Sequence, residues 1–133
     1  MFLCEIMRNY KNYEVWTEAH ELIIFIYTHI APNFPPDEKY ELTSQLKRAA
    51  YSVPFNIVEG CGRNSDKDFT HFLDMALGSA HELEYCFLLA KDLSFVNHEM
   101  HKKLDKQINV IKAMLINLIK SIREPKTPMR SMS

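Results

Sequence analysis

Glycine is scarce in this chain, with 3 in 133 residues. Sandwiches and barrels of many short strands consume turn glycine, and phosphate-cradling loops need several together, so both are disfavoured. Cysteine is equally thin. Cys4, Cys61 and Cys86 are an odd number without C-x-x-C spacing, which argues against a disulfide framework or a zinc cage and for reduced thiols in a cytoplasm. Long apolar runs are missing too. The longest, Leu22 to Tyr27, is about a third of a membrane span, and Glu5 and Arg8 interrupt any apolar leader. No charge of one sign dominates, because 16 basic and 17 acidic side chains leave −1. The whole molecule is therefore not a polycation built for phosphate.

What remains is the composition of a globular helical domain, 47% hydrophobic and 25% charged, of a size that fits one core. Residues 1–9 read as an extended or disordered segment, with Met1 and Met7 both open as starts. Four apolar stripes at helical spacing follow. Residues 13–30 carry Val15, Ala19, Leu22, Ile23, Ile26 and Ile30, and Pro32, Pro35 and Pro36 end the helix. Residues 38–61 carry Leu42, Leu46, Ala49, Val53, Ile57 and Gly60, with Gly60 and Gly62 available as a stop. Ser65 and Asp68 resemble a capping box that opens residues 66–93, whose stripe is Phe69, Leu73, Ala76, Ala80, Leu83, Phe87 and Ala90. Asn97 caps residues 98–122, where Leu104, Ile108, Ile111, Leu115, Leu118 and Ile122 alternate by four and three. Residues 124–133 read as a tail. The expected fold is all-α, an antiparallel up-down-up-down four-helix bundle.

Helix two has more apolar surface than one core needs. Tyr51, Phe55 and Val58 project away from its core stripe, and Ile24 and Phe25 fall outside the stripe of helix one. Such patches mark protein contacts, so these five residues are the expected interface of a homo-oligomer. The third face of helix two is polar: Gln45, Arg48, Ser52, Asn56, Glu59 and Arg63, with Ser79 and Glu82 on helix three as expected partners. The small Gly78, Ser79 and Ala80 would let the two backbones approach. Two readings stay open, a hydrogen-bond and ion-pair network that sets helix register, or a binding groove. Pro54 within this helix leaves the Ala50 carbonyl without its partner, and a kink is expected.

Catalytic and metal chemistry is not encoded in a recognisable pattern. A two-metal bundle site wants Glu-x-x-His on two helices, and none occurs. His98 and His101 have neither metalloprotease spacing nor an evident third ligand. Gly60-Cys61-Gly62 lacks the third glycine of a dinucleotide loop, Arg63 to His71 is too long for a helical ribonuclease motif, and no nucleophile elbow is present. No cofactor is expected. A hydrolase or nuclease using Glu59 and Glu82 as a buried carboxylate pair remains a rival reading. The charge is unevenly spread, −6 over residues 1–97 and +5 over residues 98–133. Lys102, Lys106, Lys120 and Arg123 are thus candidate RNA contacts, or simply a solvated face.

The run Tyr40-Glu41-Leu42-Thr43-Ser44-Gln45-Leu46-Lys47-Arg48-Ala49-Ala50, followed by Ser52-Val53-Pro54-Phe55-Asn56-Ile57-Val58-Glu59-Gly60, resembles the signature of the four-helix-bundle proteins encoded in intervening sequences of bacterial 23S ribosomal RNA genes. Leu73 to Glu84 matches a second block, and Tyr10 to Leu22 around Trp16 weakly matches the opening one. Phe55 and Val58 stand where small residues are usual, and Cys61 where an aromatic residue or Ser is common. The resemblance implies a compact bundle, commonly a homopentamer, with no established ribosomal role. It also implies kinship with accessory proteins of diversity-generating retroelements, in which a basic pentameric barrel binds a reverse transcriptase and nucleic acid. A nearly neutral chain does not reproduce that barrel. The combined expectation is a cytoplasmic, non-enzymatic homo-oligomer without a membrane partner, with RNA or a nucleoprotein as candidate partner. A product of a mobile insertion with no partner is the third reading.

Overall fold

The computed structural model describes residues 8–124. Helix α1 spans Glu14–Phe25, α2 Leu42–Cys61, α3 Asp66–Asp92 and α4 His98–Arg123. No strand occurs among the described residues. Each helix runs beside two others, α1 with α2 and α4, and α3 with α2 and α4, so the four close a square in which, among the described residues, the diagonal helices do not approach backbone to backbone.

Cross-helix contacts give the directions. Gln45 meets Glu82 and Ser52 meets Ser79, so α3 descends as α2 rises. Asp74 meets Arg123 and Glu84 meets Lys112, so α4 reverses again. Lys47 lies over the Tyr27 ring while Trp16 shares a groove with Val58, and the same reversal relates α1 to α2. The short connections after α2 and α3, residues 62–65 and 93–97, leave little alternative to this arrangement there.

The helix ends follow local chemistry. Ser65 Oγ accepts from Asp68 N at 3.1 Å and Asn97 Oδ1 from Met100 N at 2.7 Å, each satisfying an amide that has no partner inside its helix. Helix α2 begins four residues later than the sequence pattern suggests. Pro35 and Pro36 lead into a 3-10 turn, Pro36–Glu38, and Glu38 Oε1 reaches forward to accept from Leu42 N at 3.1 Å. The helix then runs through Pro54 as one element to Gly62. Helix α1 continues into a π turn, Ile26–Ile30, where the Thr28 hydroxyl donates back to the Ile24 carbonyl at 2.7 Å. The wider turn keeps both Ile26 and Ile30 buried, and Pro32, which has no N–H, cannot extend it.

The core is apolar throughout, with Phe69, Phe87, Leu46, Ile57, Leu73 and Leu104 fully buried. Thr70 is the one buried polar residue among those described, and its hydroxyl is satisfied by the Asp66 carbonyl at 3.0 Å. In α4 the stripe departs from the expected one. Ile119 is buried, whereas Leu118 and Ile122 are only half-buried. Eighteen residues are five turns, so Ile122 lies on the side of Leu104 and is half-buried because it stands in the last turn of a helix that ends at Arg123, while Leu118 and Ile119 flank the inward direction on either side.

Most of the expected N-terminal segment and tail lies outside the described residues. Of the described part, Asn9 caps a 3-10 turn, Tyr10–Asn12, and the Arg8 guanidinium sits 4.4 Å from the Phe69 ring centroid while donating to the Arg63 carbonyl at 2.8 Å. Arg8 is therefore anchored to the loop between α2 and α3.

Candidate interaction surfaces

Part of the apolar surplus of α1 and α2 gathers at one groove. Tyr10, Trp16, His20, Ile23, Pro54, Phe55 and Val58 line a groove of about 370 Å³ between the two helices. Trp16 stacks on His20 with ring centroids 4.9 Å apart and meets the edge of Tyr10 at the same distance. Phe55 stands at the rim, 65% exposed, against the edge of Tyr51, which is 40% exposed. Ile24 is 52% exposed, and Val58 is half-buried in the groove wall. Phe25 does not belong here. It is half-buried against the core, stacks on His29 at 4.9 Å and lies under Lys103 Nζ of α4 at 5.0 Å, because the residues on either side of Ile26 point about 100° away from it in opposite senses, Tyr27 toward α2 and Phe25 toward α4. The sequence reading missed Tyr10, Trp16 and His20. The signal was present as Trp16, His20, Ile23 and Tyr27, spaced four, three and four beside the core stripe.

The polar residues of α2 are brought together with α3 in part, along an open seam. Ser79 Oγ donates to Ser52 Oγ at 2.8 Å, and Asn56 Nδ2 donates to the same oxygen at 3.1 Å. Gln45 Nε2 donates to Glu82 Oε2 at 2.7 Å. Arg63 pairs with Glu59, four residues earlier on the same helix, at 2.8 Å, and stacks over the Phe72 ring. Arg48 is exposed and has no carboxylate within 4.0 Å among the described residues.

The buried carboxylate pair does not exist. Glu59 and Glu82 are both exposed. Glu82 is held beside Gln45, fourteen residues before Glu59 on α2, which separates the two carboxylates by roughly 20 Å of helix. They lie on a flank that two helices leave to water, so no proton can be shared between them. Close backbone approach of α2 and α3 also comes from elsewhere than expected. Ser79 and Ala80 face inward, but Gly78 is exposed, and the tight crossing is at Gly60, where an added Cβ would lie 3.0 Å from Phe69 Cδ1 and 3.0 Å from Phe72 Cβ.

The basic residues of α4 do not form a stripe. Arg123 is drawn to Asp74, 2.6 Å from Nη2 to Oδ2. Lys102 and Lys106 lie at the start of the helix and Lys120 at its end, roughly 20 Å from Lys106. Between them the exposed positions are Asn109, Val110, Ala113, Ile116 and Asn117, and Lys112 is paired to Glu84 at 2.6 Å. His98 is exposed, and His101 sits in a shallow hollow with His81, Glu84, Tyr85, Leu88 and Asp105. Among the described residues no three His, Cys, Asp or Glu side chains converge on a point where a metal could bind. No described helix is long and apolar enough to cross a membrane. Burial pushes up the thiols of Cys61 and Cys86, the latter to about 11 with Glu82 adding to the effect.

The geometry defines a closed, antiparallel four-helix bundle with an apolar outer face and a polar seam. Compared with protein families, residues 11–117 match the 23S rRNA-intervening sequence protein family, and the chain belongs to that family. Among solved structures it is similar to a protein of unknown function from the S23 ribosomal protein family of Bacteroides thetaiotaomicron. The two share 25% identity and a TM-score of 0.74, over 80% of this chain and 95% of the other. A comparison with the curated proteins finds no match.

Proposed function

We propose that this chain is a non-enzymatic bundle that works as a homo-oligomer, with the α1–α2 face meeting other copies of itself. The observation that supports the reading is Phe55, 65% exposed at the rim of a groove walled by Trp16, Ile23, Pro54 and Val58. A contiguous aromatic surface of this kind is seldom left to water on a small subunit. Five copies is the number that the family resemblance implies. The unpaired, buried Cys61 and Cys86 fit a reducing compartment such as the cytoplasm.

An RNA partner is a weaker reading, because the unpaired lysines of α4 are divided between its two ends. Size exclusion with light scattering tests the main one. A mass that is a multiple of 15.6 kDa, near fivefold, supports it, and Phe55→Arg then yields the single subunit. A wild-type chain that is monomeric at every concentration overturns it.

A further inference from the structure

Two glycines lie within helices, and only one has a reason inside the subunit. Gly60 is required where α2 crosses α3, since a Cβ there would press on Phe69 and Phe72. Gly78 lies near the middle of α3, is exposed, and a Cβ there would meet nothing within 4 Å. Its φ is not positive, so the backbone has no need of glycine either. Glycine is the poorest helix former after proline, and a mid-helix glycine that serves neither packing nor backbone within the subunit leaves an external contact as its physical reason.

We propose that Gly78 is the floor of a docking notch in which a second copy of this chain seats Phe55. This rests on the homo-oligomer reading and names the surface that receives the aromatic face. The outer stripe of α3 is His71, Met75, Gly78, Glu82 and Tyr85, spaced four, three, four and three. Met75, 45% exposed, lies one turn before the glycine, Glu82 one turn after it and Tyr85, 60% exposed, two turns after it, so a ring can lie flat on the helix backbone against Met75 on one side. Phe55 is the most exposed large side chain without a polar atom among the described residues.

Charge also favours a copy of the same chain. The flanking seam carries Arg48, Arg63, Glu59 and Glu82, which sum to zero, and Arg48 is the member without a carboxylate partner. A second copy of the surface offers that carboxylate, whereas a polyanion finds no positive excess. The face made by α2 and α3 is roughly 30 Å long and 20 Å wide. That is about 600 Å² in projection, of the order that a standard interface buries per partner.

The test is Gly78→Ala and Gly78→Leu, each made alone and in a Phe55→Arg background that holds the subunit apart. In that background Gly78→Ala raises the melting temperature by roughly 3 to 5 °C, because alanine is the better helix former. In the otherwise native chain Gly78→Ala weakens association tenfold or more, and Gly78→Leu abolishes it while circular dichroism stays helical. Opposite signs for stability and association are the signature of a notch. If both variants assemble like wild type while Phe55→Arg dissociates, Phe55 docks elsewhere; the notch is then wrong and the homo-oligomer stands. A monomeric wild type overturns both.

Discussion

Ser79 Oγ donates to Ser52 Oγ across 2.8 Å, a side-chain bond that ties α3 to α2 at the level of Gly78. Ser52 Oγ also accepts from Asn56 Nδ2, so one hydroxyl serves two donors on different helices. Ser52→Ala removes the acceptor from both and is expected to cost about 1 to 2 kcal/mol, while Ser79→Ala costs about 1 kcal/mol. The double variant should cost less than the sum, with a coupling of about 0.5 to 1 kcal/mol. Urea denaturation of the four proteins measures it, and strict additivity would show that the bond contributes nothing.

Glu59→Gln and Glu82→Gln should each leave the fold intact, with stability within about 0.5 kcal/mol of wild type. Both side chains are exposed and their partners are solvated. A collapse of folding in either variant would contradict the open seam.

Gly60→Ala is expected to act in the opposite sense to Gly78→Ala on the subunit. The added methyl would lie 3.0 Å from the Phe69 ring and 3.2 Å from the Phe69 carbonyl oxygen. Overpacking of that kind costs about 1 to 3 kcal/mol, and the gain in helix propensity returns about 1. A net loss of up to roughly 2 kcal/mol should appear as a lower denaturation midpoint.

Cys61 and Cys86 should resist alkylation in a folded Cys4→Ser variant at neutral pH and react freely in denaturant. Both are buried, and both thiols are pushed upward. For Cys86 the folded group keeps its proton above the ordinary value of 9.0, up to about 11. The folded state therefore binds more protons over that window, and stability falls as pH rises from about 9 to 11, by roughly 3 kcal/mol when fully developed. Replacing Cys86 with alanine should flatten that part of the pH profile even though it lowers the overall stability.

Fluorescence anisotropy with ribosomal RNA fragments should show no saturable binding at physiological salt, since Lys106 and Lys120 are separated by a neutral stretch of α4 and Arg123 is paired with Asp74. A saturable complex with a steep salt dependence would show that phosphates are nevertheless contacted.

Much of the fold was legible locally. Ser65 and Asn97 cap the helices they were expected to open, because capping is set by a side chain and amides three residues away. The stripes of α2 and α3 fall inward as their spacing requires. The α4 stripe was legible as far as Leu115; beyond it Leu118 and Ile119 flank the inward direction, and spacing alone does not choose between them. The outward position of Gly78 was also available, since Ala76 and Ala80 point inward on either side of it. Grouping it with the small residues Ser79 and Ala80 concealed that direction.

By itself the sequence determined the helical class, the number of helices, the caps at Ser65 and Asn97, and the existence of surplus apolar surface on α1 and α2, because periodicity and capping act within a few turns of one chain. Only the tertiary structure decided that Phe25 turns to α4, that Glu59 and Glu82 stand apart in water, and that Arg123 belongs to Asp74. Each of those outcomes depends on how far one helix is rotated and shifted against its neighbour. That choice is made by the packing of whole faces rather than by any local run of residues.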